Sequence, residues 1–466
     1  MPKTIAIVGG GFSGVVTAVH LLRAGLGGPA RIVLINRSGR MARGVAYGSR
    51  TEAHVLNVAA GRMSALADDE ESFLRFARAR DARFDSGSFV PRRLYGDYLG
   101  HLLDDAIATA APDVGCDRIV GEVTAVEPRS EPLGADMTLA DSQRLRVDRL
   151  VLAVGNYAPA NPPALGDAVA ASARYVADPW APGALDRVST DRPVLLIGTG
   201  LTLLDIALDL RERGLRAPMH AISRRGLLPQ PHRSPSLAPA RNHRPPAIAT
   251  GPPTARAYLR AVRAHVQELA ADGVDWREVI NSLRPITPQL WQRLTTTERG
   301  RFLRHLRTYW EVHRHRAAPE LGIALGRLLA TGALCVSAGR VLSYRDTGDG
   351  AEVVVRQRAT GGVQTFRVGS VINCTGPNSD TRRLRDPLIE DLVRRGVLCH
   401  DRLGLGIEVA DDGALIDARG EASRALYYVG PFLKARDWEA TAVPELRVHA
   451  QHLADTLRRS FSADRP

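Results

Sequence analysis

Apolar positions fall in short runs broken by glycine, and the runs repeat. Thr4 to Val8 is a β-branched and apolar strand pattern. Gly9-Gly10-Gly11-Phe12-Ser13-Gly14 follows, then helical apolar spacing from Val15 to Ala24, then a second strand pattern from Arg31 to Ile35. The same order returns later. Pro193 to Ile197 predicts a strand, Gly198-Thr199-Gly200 a turn, Leu201 to Leu210 a helix and Met219 to Ser223 a strand.

Each copy also ends alike. Residues 117–157 and 335–377 both read as an antiparallel meander feeding a buried strand that stops at glycine, Gly155 and Gly376. The repeat is too long for a solenoid and fits duplicated nucleotide-binding units. The predicted class is α/β, with two Rossmann-like dinucleotide-binding domains, β-meanders and a helical insertion. Residues 1–160 and 370–466 form the first domain of this reading. Residues 190–226 and 334–369 form the second, and 227–333 the insertion.

The insertion opens on prolines at 229, 231, 235, 239, 245, 246, 252 and 253, which exclude a regular helix or a central strand there. Tyr258, Leu259, Val262, Val266 and Leu269 then recur at helical spacing. So do Phe302, Leu306, Trp310 and His313, after threonines and Glu298 that suit a helix start. Trp276, Trp291 and Trp310 lie here, either as the block's own core or as a cover over a ligand site.

Composition removes several classes. The chain has 466 residues, enough for two or three domains. Its charge of +12 rests on arginine, because lysine occurs only at Lys3 and Lys434. The arginines are spread along the chain, so no nucleic-acid partner is expected, although the field would attract a small anion. No apolar stretch is long enough to span a membrane. MPKTIAIVGGG shows no leader pattern, and a cytoplasmic protein is expected. The four cysteines, Cys116, Cys335, Cys374 and Cys399, form no C-x-x-C and are too scattered for a metal cage. His313 and His315 point to different faces of a helix, which argues against zinc. No G-x-S-x-G elbow is present.

Gly9-x-Gly11-x-x-Gly14 between strand and helix is a pyrophosphate turn: tight at Gly9, open at Gly11, close-packed at Gly14. The helix start offers N–H groups and a positive dipole end. Asn36 stands where a ribose-binding acid is usual; asparagine still hydrogen-bonds a hydroxyl. Gly198-x-Gly200 is the second turn, with Leu203 at its third position, so its helix must sit further from the strand. Arg224 or Arg225, after the next strand, would pair with a 2′-phosphate and favour NADPH, or form a solvated basic turn. Two such turns suit FAD in one and NADH or NADPH in the other, with hydride passing between them. Without a dithiol, the electron acceptor is O2 or an external partner.

The chain resembles bacterial FAD/NAD(P)-binding proteins in Arg43 to Gly48 (RGVAYG), His54 to Ala65 (HVLNVAAGRMSA), Gly198 to Asp205 (GTGLTLLD), Ser223 to Pro229 (SRRGLLP) and Gly430 to Arg447 (GPFLKARDWEATAVPELR). It is similar to the FAD-dependent urate hydroxylases and, more distantly, to flavin-dependent amino-acid N-hydroxylases. The resemblance implies a monooxygenase that uses NAD(P)H and O2 through a flavin hydroperoxide, with urate to 5-hydroxyisourate the leading reaction. It places Gly9, Gly11, Ser13, Gly14, Asn36, Arg43, Gly44, Tyr47, Asn57, Arg62, Met63, Gly155, Gly376 and Gly430 at FAD. It places Gly198, Gly200, Thr202, Arg224 and Arg225 at NAD(P)H. Arg62, Arg436 and Trp438 are the candidate pocket for a small anionic substrate, with no catalytic acid or base named. Pro444 and Glu445 suit the start of a last helix from Leu446 to Leu457, which could face the flavin. The alternatives are an amino-acid N-hydroxylase, a flavoprotein dehydrogenase or oxidase, and a degenerate nucleotide-binding redox sensor.

Overall fold

The computed structural model describes residues 2–49, 51–166, 168–233 and 242–463. Lys3–Val8 (β1), Phe12–Ala24 (α1) and Ala30–Asn36 (β2) form the first predicted unit. The helix starts before its apolar spacing does, because the Gly11 carbonyl already accepts the Val15 N–H at 3.0 Å. Gly44–Tyr47 (α2), Ser72–Arg80 (α3) and Arg92–Ala108 (α4) follow. Then come Val114–Val120 (β3), Val123–Arg129 (β4), Gly134–Leu139 (β5), Arg144–Val147 (β6) and Arg149–Leu152 (β7).

The second unit is Tyr175–Val176 (β8), Val194–Ile197 (β9), Leu201–Glu212 (α5) and Met219–Ser223 (β10). The helical block holds Pro246–Thr250 (α6), Ala255–Ala270 (α7), Trp276–Leu283 (α8), Thr287–Arg293 (α9), Thr296–His305 (α10), Arg307–Arg314 (α11) and Pro319–Ala330 (α12). Leu334–Asp346 (β11), Ala351–Gln357 (β12), Val363–Val368 (β13) and Ser370–Asn373 (β14) come next. Pro387–Arg394 (α13), Ala414–Ile416 (β15), Ala422–Tyr428 (β16) and Val443–Ala463 (α14) complete the chain.

One sheet runs β15-β16-β7-β1-β2-β3 and a second β13-β12-β11-β10-β9-β14-β8. Alternation along β1 divides the first core. Ile5 and Ile7 pack with α1, α4 and α14, while Ala6 and Val8 pack with β4, β5, β6 and α13. Strands buried on both faces read as unbroken apolar runs, as TIAIV and LVLAV do.

Five expectations change. Ser370–Asn373 belongs to the second domain, not the first: Ser370 pairs with Val194 and Asn373 with Ile197. β14 is to β9 what β7 is to β1, and β8 extends the second domain to before residue 190. The two meanders also differ. β4, β5 and β6 stand as a separate sheet, whereas β11 is long enough to pair with β10 and then with β12. The run from Phe302 to His313 is two helices, broken at Leu306. The last helix starts at Val443 and reaches Ala463, well beyond the expected span. Pro235 and Pro239 lie outside the described residues.

Candidate functional site

The first turn is set by contact. Gly9 has φ +120°, and a Cβ there would lie 2.1 Å from the Ala153 carbonyl oxygen. A Cβ on Gly14 would lie 1.9 Å from the Gly9 oxygen, so α1 can approach β1 only as glycine. Gly11 differs: the nearest atom to its Cβ position is the Gly44 Cα, 3.8 Å away. Gly11 and Gly44 therefore face each other across a gap lined by backbone. No side chain caps α1, and its first turn holds no acid. The buried Ser13 stands in that turn. The turn offers N–H donors and needs acceptors, which a pyrophosphate supplies.

Around it, Asn36 ends β2 against Gly10 and donates its amide to Ser38 Oγ at 3.1 Å. Arg43 is committed to α4, donating to the Arg93 carbonyl at 3.0 Å and pairing with Asp97. The backbone of Arg43 and Gly44, not the guanidinium, thus lines the gap. The Tyr47 ring packs at 4.6 Å from that of Tyr95, and burial pushes its hydroxyl pKa up. Met63 is buried and Arg62 exposed. Gly155 and Gly430 both take positive φ beyond the ends of β7 and β16.

The second turn repeats the first. Gly198 has φ +115° and its Cβ would lie 2.3 Å from the Cys374 oxygen, as Gly9 stands to Ala153. Nothing lies within 4 Å of a Cβ on Gly200. α5 also starts uncapped and without a first-turn acid, with Thr202 half-buried in that turn. Leu203, at the third position, is fully buried in the core. Thr199 Oγ1 donates to the Leu227 carbonyl at 2.6 Å and ties the turn to the segment after β10. Arg224 is exposed there. The neighbouring Arg225 guanidinium meets the Tyr309 hydroxyl at 3.1 Å and lies 4.9 Å over that ring. Gly376 follows β14, so it ends a strand of this second sheet and not a returning strand of the first.

Several contacts join the two units. Tyr157, past β7, pairs with Asn378, past β14. Arg92 at the start of α4 forms a 2.8 Å ion pair with Asp205 of α5, whose side chain is 3% exposed. The same guanidinium donates to the Val55 carbonyl at 3.0 Å. Thr51 donates to Glu212 at 3.0 Å. The His232 ring reaches the Asn57 carbonyl at 3.1 Å; burial, then Arg316, lowers its pKa to about 4. α4 therefore grips Arg43 beside the first turn and Asp205 one helical turn into α5.

The helical block is built on its own aromatic contacts. It also docks on the C-terminal segment. Trp291 Nε1 donates to the Ala435 carbonyl at 2.9 Å and Trp310 Nε1 to Glu439 at 2.7 Å. Arg314 pairs with Glu439 at 2.8 Å, and Glu445 pairs with Arg284 instead of only capping α14. Burial holds the Lys434 pKa down at about 8, with Arg307 adding and Glu311 opposing.

Arg62, Arg436 and Trp438 do not assemble into a pocket. Arg436 is spent on the Ala410 carbonyl at 2.6 Å and Asp437 at 2.8 Å. Trp438 is 3% exposed, enclosed by Trp291 at 4.7 Å, Phe302 at 5.2 Å and the Lys434 ammonium at 4.4 Å. Among the described residues no group of three or more His, Cys, Asp or Glu is placed to hold a metal, and no helix is long and apolar enough to cross a membrane.

Residues 6–157 match the model of a family described as FAD-NAD(P)-binding. No curated protein matches the chain by sequence. Among solved structures it is similar to the ornithine N-hydroxylase of Kutzneria sp. 744, solved with reduced FAD, NADP+ and L-ornithine: 15% identity, TM-score 0.65, covering 98% of this chain and 99% of that one. It is similar to the L-lysine 6-monooxygenase of Pseudomonas syringae, at 16% identity and TM-score 0.66, over 99% and 100%. The FAD-bound cadaverine monooxygenase of Erwinia amylovora gives 11% identity and TM-score 0.65, over 98% and 94%. The fold is the two-domain FAD- and NAD(P)-binding fold of flavin monooxygenases.

Sequence reasoning missed the Arg92–Asp205 pair, the His232–Asn57 contact and the Arg314–Glu439 pair. Each joins residues more than 100 positions apart, and no local pattern marks such a meeting.

Proposed function

We propose that this chain is an FAD- and NAD(P)H-dependent monooxygenase that N-hydroxylates a small amine or amino acid. The likeness to three such enzymes over nearly their whole length carries the reading, together with two uncapped glycine turns, each opening a helix after a buried strand. Urate hydroxylation has no such support. The tryptophan that would stack on a purine, Trp438, is closed in by Trp291 and Phe302.

The first turn, Gly9, Gly11, Ser13 and Gly14, would hold the FAD pyrophosphate, with Asn36 at the ribose and Gly44 across the gap. Gly198, Gly200, Thr202 and Arg224 would hold the nicotinamide coenzyme, with Arg224 on a 2′-phosphate. Bound FAD supplies acceptance of hydride from the nicotinamide and activation of O2. The protein's part is positional. Arg92 and Asp205 tie α4 to α5, and the helical block, docked on the C-terminal segment, would keep water from the reacting groups. The test is turnover by purified protein with FAD, NADPH and O2, scoring hydroxylamine against peroxide. An amine that raises NADPH oxidation with matching hydroxylamine supports the reading. Peroxide alone with every amine, or loss of urate in its place, refutes it.

A further inference from the structure

The outward face of the β11–β12–β13 meander carries charge of almost one sign. Val353, Val355 and Phe366 point inward and are buried together, so their alternates along the strands point out. The registers set these outward residues in rows across the three strands. Arg345 stands opposite Glu352, and Glu352 opposite Arg367. An uncharged row of Ser343, Val354 and Thr365 comes next, and then Arg340, Arg356 and Val363. Arg358 follows just past β12, exposed, with Nη1 donating to the Arg224 carbonyl at 3.5 Å.

Five arginines thus share the face with one carboxylate. Glu352 is already spent, pairing with Arg345 and with Arg367 at 3.0 Å. Among the described residues Arg340, Arg356 and Arg358 pair with no carboxylate. Arg340 and Arg356 lie directly opposite each other, where like charges destabilise a strand pair. Both are exposed and neither side chain donates a hydrogen bond to a described residue, so the fold does not use the guanidinium groups. Carboxylates brought by a partner would remove the repulsion.

What the face offers beyond charge narrows the partner. Val363 is 63% exposed and lies on the edge strand of the sheet. No residue in the three rows is aromatic, so the bases of a nucleic acid find nothing there to stack on. A valine beside unpaired guanidinium groups suits a protein segment that carries carboxylates and an apolar side chain.

We propose that this face docks an acidic segment of a partner protein, whose carboxylates meet Arg340, Arg356 and Arg358. Because Arg358 borders Arg224, competition by the coenzyme is part of the test.

The experiment follows fluorescence anisotropy of labelled poly-L-glutamate, and separately of labelled oligo-dT, on the FAD-loaded protein. Poly-L-glutamate binds, more weakly as salt rises, and stays bound when excess NADP+ is added. Arg356→Glu weakens it at least tenfold. That variant sets opposite charges on the pair with Arg340, so it melts no lower than wild type; should it melt lower, Arg356→Gln takes its place and weakens binding in the same direction. Arg260→Glu, at an exposed arginine of α7, changes the net charge equally and leaves affinity unaltered. Absence of binding overturns the proposal. So do equal losses from the Arg356 and Arg260 variants, which mean that only overall charge matters. Release of the polymer by NADP+ overturns it by assigning the arginines to the coenzyme, and tighter binding of oligo-dT overturns it in favour of nucleic acid.

Discussion

Tyr157 and Asn378 pair with each other, although one follows β7 of the first sheet and the other β14 of the second. Two chain segments leaving two sheets are joined just past Gly155 and Gly376.

Two glycines in the first turn are expected to fail differently. Gly14→Ala puts a Cβ 1.9 Å from the Gly9 oxygen and forces α1 off β1, at a cost of about 1–3 kcal/mol. Gly11→Ala has 3.8 Å of room and folds, but its methyl projects into the gap toward Gly44. We expect a lower melting temperature with and without FAD for Gly14→Ala. For Gly11→Ala we expect near-normal apoprotein stability with FAD affinity down at least about tenfold, or about 1.4 kcal/mol. Thermal melts and flavin titration separate the two, and identical behaviour contradicts the assignment.

The neighbouring arginines divide in the same way. Arg224→Ala should raise KM for NADPH about tenfold or more while leaving NADH unaffected, since a charged pair to the 2′-phosphate is lost. Arg225→Ala should leave both coenzymes alone and loosen the helical block at Tyr309. Steady-state kinetics with each coenzyme decide.

Removing one side of the ion pair between the domains should be costly. Asp205→Ala leaves Arg92 short of its buried carboxylate, and a penalty of about 3–5 kcal/mol is expected. Urea unfolding should show it, and a change under about 1 kcal/mol would mean that water reaches the pair.

His232 gives a pH signature. Burial first, and Arg316 next, hold its folded pKa at about 4, below the ordinary value of 6.5. Between those values the unfolded chain binds the proton and the native protein does not, so stability falls as pH drops through that window. One proton sets the slope, at most about 1.4 kcal/mol per pH unit. His232→Gln should decline less steeply than wild type from pH 6.5 to 4.5 in urea unfolding; parallel declines contradict the assignment.

Both turns were legible in the sequence because glycine interrupts apolar runs at fixed offsets, and the contacts of Gly9, Gly14 and Gly198 show why no other residue fits there. The sequence does not reveal which sheet takes the strand at 370–373, because VIN, like LVL, is buried on both faces and such a run does not say which strand it joins. Trp438 reads as a pocket candidate in sequence because the aromatics that enclose it come from distant residues 291 and 302. Arg225 and Arg224 are indistinguishable in sequence, and only Tyr309 tells them apart.

The central claim is that the two turns hold FAD and a reduced nicotinamide close enough for hydride to cross. Anaerobic mixing of the FAD-loaded protein with NADPH, followed in the flavin absorbance band near 450 nm (about the usual position for oxidised flavin), tests it most directly. The account predicts bleaching of the band with a rate that saturates in NADPH and its return on admitting O2. A flavin that binds yet stays oxidised under excess NADPH and NADH would contradict it.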